Sequence, residues 1–452
     1  MIRQTTILVV FLFGCTAAAR SQQVSLYPNP EYSTSSNEYK LRINKQEAEV
    51  HHQRVADFCN FSFEGKITVE VEWLEGKITT VDIRPKRSAV KATVKGQIIS
   101  FTLSRPCQLS VEINGNIKHP LFVFANAMEK NKPDSSNAAV KYFAAGKVYH
   151  TGAIILKTGQ QVYIEGGAIV KGNIFAENAS GITISGRGIL DGSVFEKGET
   201  RQIEINNSSN ILIDGIIITD SRHWTAPVTK CRNVLYNNVK IISGNEWDDG
   251  IDVVSCKNVL IQNCFIRTKD DCIAIKAGVS YFYKENNQAN TDSVTIDNCV
   301  LWNAEWGNGM EIGFETRTDS IKNIVFKNCD LIHVEGSEGT FTIHNGDRAV
   351  ISNVLYENNY VEDSRGLLID FKVLHSVYSK DSTRGKIENI VFKNITVTDT
   401  RKLPSLLLGH SAAYGISNVL LRHFMVNGKI ILSDKQLGVQ KQFATKINYA
   451  AN

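Results

Sequence analysis

Three stretches, Asn233-Val234-Leu235-Tyr236-Asn237-Asn238, Asn258-Val259-Leu260-Ile261-Gln262-Asn263 and Asn323-Ile324-Val325-Phe326-Lys327-Asn328, are copies of one template. Each opens on a turn residue, alternates apolar positions at period two and closes on Asn, the mark of a strand with one buried face. The template, a turn residue then Val/Ile-x-Ile/Tyr/Phe-x-Asn/Gly-x-x-Val/Ile, recurs from Gln161, Gly181, Asn210, Asn233, Asn258, Ser293, Asn323, Asn353, Asn389 and Asn418. That makes ten coils at spacings of 20 to 36 residues. A fixed strand with connections of variable length is a solenoid whose loops absorb insertions. Leucine-rich repeats would place Leu at most template positions and helices between them, whereas Val, Ile and Phe stand here and no long helix is needed. The pattern predicts a right-handed parallel β-helix. The 38 Asn of the chain fit it, because Asn tolerates the left-handed backbone of tight corners and its amide can ladder from coil to coil.

Upstream the repeat gives way to plain alternation. Lys40 to Asn44, Ile67 to Trp73, Ser100 to Leu103 and Leu109 to Ile113 each carry one apolar and one polar face, and Asn114-Gly115 is a hairpin signal. These predict half-buried antiparallel strands in a small β-sandwich, and the polar run from Glu129 to Asn137 reads as the connection. An all-β chain results, with a β-sandwich at 23–130, a linker at 131–140 and a parallel β-helix domain at 141–452.

Residues 1–22 read as a signal peptide, with Arg3 as its cation, Ile7 to Phe13 as a short apolar run and small residues from Thr16 to Ala19. Leu12-Phe13-Gly14-Cys15 also resembles a bacterial lipoprotein signal. The expectation is therefore an exported protein, periplasmic, anchored to the outer membrane or extracellular.

Of 452 residues 42% are hydrophobic and 21% charged, which supplies a large core and excludes a disordered chain. A formal charge of +4 is too weak a field to argue for nucleic acid or an anionic membrane as partner. No apolar run approaches the ~20 residues that span a bilayer, so an N-terminal lipid is the one membrane contact foreseen. Beyond Cys15, Cys59 and Cys107 could pair within the sandwich. Cys231, Cys256, Cys264, Cys272, Cys299 and Cys329 fall mostly at apolar strand positions and read as small buried hydrophobes. No Cys/His spacing suits zinc, and neither a metal nor a cofactor is called for.

The chemistry gathers on two adjacent coils. Asp248-Asp249-Gly250-Ile251-Asp252 and Lys269-Asp270-Asp271-Cys272-Ile273-Ala274-Ile275-Lys276 place Asp249 and Asp270 21 residues apart, close to one coil, so their carboxylates should stack across neighbouring rungs. Crowded carboxylates raise the proton affinity of one member while others stay ionised, which is what acid and base on one glycosidic bond require. A single acid pair at such a turn could equally be a solvated corner or a Ca²⁺ ligand; two pairs on consecutive coils are harder to explain so. Lys276 beside them could hold the cluster or touch a substrate hydroxyl. Trp224, Trp247, Trp302 and Trp306 fall in the coils that bracket the acids, and Tyr281-Phe282-Tyr283 in the insertion that follows, so 279–292 reads as a cleft wall whose rings stack on sugar faces.

These residues resemble glycoside hydrolase family 28, the polygalacturonases and their relatives, and more loosely the family 49 dextranases of the same clan, whose appended sandwich the N-terminal region resembles. Asp249-Gly250-Ile251-Asp252 sits where the family has Asn-Thr-Asp-Gly. Asp270 to Lys276 matches its Asp-Asp-Cys-x-Ala stretch, Ser221 to Pro227 its Ser-Pro-x-Trp segment, and Asn308 to Gly313 its Gly-His-Gly region. The resemblance covers roughly 140–430. It implies Asp270 as general acid and Asp249 and Asp271 as the pair that activates water, with inversion. Adjacent rungs ~4.8 Å apart would by themselves suit the ~5 Å carboxylate spacing of retention, so stereochemistry rests on the resemblance.

Two departures bear on substrate. Asn308 stands where the family has His, which predicts the loss of a group supporting the acids. Leu368-Ile369-Asp370 stands where the family has the Arg-Ile-Lys that engages a galacturonate carboxylate, and an acid there would repel one. The expected activity is thus hydrolysis of α-linked bonds in a neutral polysaccharide or oligosaccharide such as a dextran-like glucan. Polygalacturonase stays as the alternative through Lys372, with His344 and Arg348 as further cations near the cleft. A non-catalytic glycan-binding protein and a lyase are the readings from other classes. Substrate contacts are expected from Asp252, Lys276, Trp224, Trp247, Trp306, Asn308, Glu311, Asp370, Lys372 and Tyr281.

Overall fold

A computed structural model describes residues 23–31, 33–278, 289–401 and 403–452. From Val140 onward the strands form one 31-stranded arrangement, parallel but for the antiparallel pair Ile416–Val426 and Lys429–Ile430, in which strands pair with their equivalents one coil away, the architecture of a right-handed parallel β-helix. One core column shows how it is held. Val234, Val259, Val294, Ile324, Val354, Ile390 and Val419 stand in successive register and are all buried. Same-residue stacking at the ~4.8 Å strand spacing packs β-branched side chains without gaps, so each coil covers the apolar edge its neighbour would expose.

The corners follow the template. Gly181, Asn210, Asn233, Asn258, Ser293, Asn323, Asn353, Asn389 and Asn418 all have φ between 55° and 70°. Gln161 departs, because Gly159 takes the left-handed position in that coil. The Asn amides ladder as expected, with Asn258 donating to Asn233 at 2.8 Å and Asn233 to Asn210 at 3.0 Å. A second column, Asn263, Asn298, Asn328, Asn358 and Asn394, repeats the device five residues on. The longest helix among the described residues is the single turn Asp434–Leu437, and no helix is long and apolar enough to cross a membrane.

Before the helix lie two facing sheets. One runs Gln23–Leu26, Asp57–Glu64, Leu121–Ala127, Cys107–Ile113, Val81–Arg84; the other Gln46–Ala48, Tyr39–Ile43, Ile67–Trp73, Ile98–Leu103, Thr93–Lys95. The pairing is antiparallel except that Leu121–Ala127 runs parallel to Asp57–Glu64, a departure from the all-antiparallel expectation. Asn114 and Gly115 both have positive φ, yet the hairpin closes at Val111 and Leu121 while Ile113 pairs with Val81. Cys59 and Cys107 are free thiols, not a disulfide. They flank the strand Leu121–Ala127, where Cys59 faces Val123 and Cys107 faces Ala125, so two strand spacings of ~4.8 Å separate them, beyond disulfide reach.

The first sheet is buried on both faces, because Phe58, Phe122 and Phe124 turn outward onto Ile169, Ile217, Phe265 and Trp302 of the helix. Polar ties close the seam. Asn60 Nδ2 donates to Arg187 O at 2.8 Å, and Arg84 bridges Glu112 of the sandwich to Glu362 of the helix. Glu112 also meets His333 at 3.0 Å, which in turn faces Asp363 at 3.1 Å.

Candidate active site

The strands Ile251–Val254, Ile273–Ala277, Met310–Thr316, Gly339–Asn345 and Leu367–Val373 lie in sequence along one helix face. Their inward residues, such as Val253, Ile275, Ile312, Ile343 and Phe371, fill the core. Alternation turns the intervening ones outward, so Asp252, Ala274, Glu311, Thr342 and Asp370 form one register column and Lys276 follows Val254 in the next. A polar stripe results from period two alone.

At the head of these strands Asp248 fastens two coils together. Its fully buried carboxylate accepts the backbone N–H of Asn245 at 2.9 Å, of Lys269 at 2.8 Å and of Asp270 at 2.9 Å. Two glycines make the approach possible. A Cβ on Gly250 would lie 2.4 Å from Cys272 O, and one on Gly307, at φ 59°, 2.4 Å from Asp270 Oδ1. Oxygens of Asp249, Asp270 and Asp271 then fall within 4.8 Å of one another. Asp249 and Asp271 are almost wholly covered, at 3% and 6% exposure, while Asp270 is partly exposed.

The charges oppose one another. Burial and then the charge of Asp249 push the Asp270 carboxyl up to about 8, against the pull of Lys276. Burial, Asp249 and Asp270 hold Asp271 well above the usual carboxylate range, and burial and Asp249 do the same to Asp252. Burial disfavours the Lys276 ammonium, but Glu315, Asp249 and Asp252 outweigh it and hold the lysine well above its ordinary value. Its Nζ lies 3.3 Å from Asp249, 3.5 Å from Glu315 and 3.6 Å from Asp252, and 4.4 Å from the centre of the Trp224 ring. Three close carboxylates have the spacing of a divalent-cation site, and of these three Lys276 ion-pairs with Asp249. The other such cluster among the described residues is His52, Asp57 and His119 in the sandwich. A carboxyl kept protonated beside ionised neighbours can give a proton to a leaving oxygen while a neighbour takes one from water.

Sequence reasoning and structure part at several residues. Asn308 does not leave the acids unsupported; its Nδ2 donates to Asp271 Oδ1 at 2.9 Å and to Glu338 at 3.1 Å, and its Oδ1 accepts from Gly339 N at 2.9 Å. Asn308, Asp252, Glu311 and Asp370 are buried, so the substrate contacts expected of them are corrected to support from beneath. Asp370 also presents no bare charge to a ligand. His344 Nε2 lies 3.1 Å from it and Lys372 Nζ 2.7 Å, while His344 Nδ1 faces Glu311 at 3.2 Å. Burial works against both charges, yet the carboxylates push His344 up to about 10 and the two cations hold Asp370 below the usual carboxylate range. Arg348 is held away from the acids by Asp381 at 2.8 Å.

The aromatic residues separate into two groups. Trp247 and Trp306 are 49% and 40% exposed, each with one face covered, by Lys197 at 4.7 Å and Lys269 at 4.5 Å. Trp224 is buried under Lys276, and Trp302 packs in the seam against Phe122 and His333. Tyr281 and most of the proposed wall at 279–292 lie outside the described residues. Glu315 and Glu338 escaped sequence reasoning; the signal for Glu315 was a second acid four residues beyond Glu311 on a strand of the same stripe. His223, beside Trp224 and Trp247, was missed too; burial and then Arg201 push it down to about 4, so it stands neutral at the cleft edge.

The family model for glycosyl hydrolases family 28 matches residues 144–431. A polygalacturonase of Saccharomyces cerevisiae is 27% identical over 263 residues, 53% of this chain and 66% of that protein. A probable rhamnogalacturonase E of Aspergillus flavus is 27% identical over 268 residues, 58% of this chain and 54% of that protein. The chain thus spans about half to two thirds of the length of these relatives. Among solved structures, Dex49A from Penicillium minioluteum superposes with a TM-score of 0.64 at 13% identity, covering 94% of this chain and 96% of that one. A family 28 exopolygalacturonase of Yersinia enterocolitica superposes with 0.52 at 15% identity, covering 86% and 94%. At such identities the superpositions speak to the fold, sandwich included. The match over 144–431, well over half the length, carries the assignment: the chain belongs to glycosyl hydrolases family 28.

Proposed function

We propose that the protein is an exported, inverting glycoside hydrolase that cleaves α-linked bonds in a neutral polysaccharide or oligosaccharide such as a dextran-like glucan. Asp270 gives its proton to the leaving oxygen. Asp249, ion-paired to Lys276, takes a proton from the water that attacks the anomeric carbon while Asp271 beside it helps to hold that water, so one water is consumed and the acid is restored on exchange with solvent.

The observation that carries the substrate reading is the pairing of the cations around the triad. Lys276 is matched by Asp249, Asp252 and Glu315, Lys269 by Glu305, and Lys372 by Asp370. A uronate would have to compete with a resident carboxylate for each, whereas a neutral sugar needs none. The partly exposed Lys372 and the likeness to a polygalacturonase favour polygalacturonate hydrolysis as the second reading.

The test is reducing-end release, with product anomer followed by NMR, from dextran, other α-glucans, α-galactans, arabinan and polygalacturonate, comparing wild type with Asp270→Asn. Release from a neutral polymer that the substitution abolishes supports the proposal. Activity on polygalacturonate alone overturns the substrate, and a retained anomer overturns the stereochemistry. Binding without turnover in the wild type would make it a glycan-binding protein.

A further inference from the structure

On the side of the triad toward the later coils, the chain doubles back. After the strand Leu367–Val373 the segment 374–385 folds over the end of the preceding coil and brings Tyr378 against Phe314, on the strand Met310–Thr316 two coils earlier. The ring centres lie 5.7 Å apart, and Phe314 itself stacks on His344 at 4.4 Å with 14° between planes.

This segment is firmly tied. Lys380 N and Asp381 N donate to the buried Asp347 at 2.6 and 2.7 Å, Ser379 Oγ donates to Gly346 O, and Asp381 meets Arg317 at 3.2 Å and Arg348 at 2.8 Å. Yet Tyr378 at its tip is 43% exposed. An aromatic ring left open on a segment fastened by a buried carboxylate and two arginines presents a rigid stacking face, which costs little entropy to use. Glu315, the residue after Phe314, lies 3.5 Å from Lys276 Nζ, which lies 3.3 Å from Asp249, so the aromatic pair stands beside the triad's ion pair.

We propose that Tyr378 and Phe314 form a subsite that stacks on the apolar face of the glycosyl ring adjoining the cleaved bond, and that it selects a neutral ring because Glu315, next to Phe314, already occupies Lys276. This rests on the hydrolase reading and adds to it a specificity-determining residue. A sugar ring seated there would lie between the aromatic pair and the triad, held by shape and stacking; a uronate carboxylate would meet carboxylates.

The experiment measures KM and kcat on the best neutral α-linked oligosaccharide for wild type, Tyr378→Ala and Tyr378→Phe, with melting temperature as a check on folding. Binding of the same oligosaccharide is measured by calorimetry in an Asp270→Asn background. Tyr378→Ala should raise KM and the dissociation constant about five- to tenfold with kcat and melting nearly unchanged, as expected for one aromatic contact. Tyr378→Phe should behave as wild type. An active wild type whose KM ignores Tyr378→Ala overturns the subsite and leaves the hydrolase reading standing. Equal losses in Phe and Ala overturn stacking as its basis. A wild type that turns over only polygalacturonate overturns the neutral-ring selection and leaves the hydrolase reading standing, and one that turns over nothing overturns both.

Discussion

Asn308 donates its side-chain amide to Asp271 Oδ1 at 2.9 Å across one coil. Both are buried, so Asn308→Ala would leave Asp271 without its donor and Glu338 without a partner at 3.1 Å. Loss of a buried hydrogen bond to a charged group costs about 1–3 kcal/mol. A fall in kcat/KM of about ten- to a hundredfold is expected, with the chain still folded by circular dichroism.

The acid must be protonated to act, and the Asp270 carboxyl is pushed up to about 8 by burial first and Asp249 second. The rate is therefore expected to fall as pH rises through about 8. Asp248 adds to the same push, so Asp248→Asn, which keeps an oxygen for the N–H groups of Lys269 and Asp270, should move the alkaline limb of kcat/KM to lower pH. Stability follows the same sign. A carboxyl whose folded value lies above its ordinary one contributes stability that is complete below the ordinary value and is lost as pH rises through the folded one. Melting temperature should drop between pH about 4 and about 8 and level off above that, and Asp270→Asn should flatten the drop.

Asp370 is clamped between His344 and Lys372, both within 3.1 Å. Asp370→Asn removes the charge while keeping the volume, so it releases Lys372 toward the cleft and adds one net positive charge there. Affinity for oligogalacturonate should rise, read as a lower KM or tighter calorimetric binding. An unchanged affinity would mean that this cluster does not face the substrate's charged groups. Asp370→Lys, by contrast, would bury a third cation beside two others and is expected to unfold the region.

Arg84 joins the sandwich to the helix through Glu112 and Glu362, both nearly fully covered. Removing one partner of a buried ion pair costs about 3–5 kcal/mol because the other charges remain. Arg84→Ala should lower the melting temperature markedly and split a single calorimetric transition into two. A single unshifted transition would show that the apolar seam of Phe58, Phe122, Phe124 and Phe265 suffices alone.

The repeat was legible because its causes are local: period two sets the buried face, and Asn or Gly is needed wherever the backbone turns left-handed. The acids were legible for a related reason. Ile251 pairs with Ile273, so one coil here is 22 residues, and the 21 from Asp249 to Asp270 put the two acids on neighbouring rungs. What spacing could not show was which outward side chains would be covered and by what. Asp370 reads as an exposed acid until His344, 26 residues earlier, is brought beneath it by register; Asn308 reads as a loss until its amide is seen to reach Asp271. Tyr378 reads as a loop residue until Asp347 pulls its segment back over the cleft. Sequence by itself determined the coil and the acids it stacks. The tertiary structure decided their charge and surroundings, because burial and partners depend on which coils and loops close over a residue, and loop lengths between coils are free to vary.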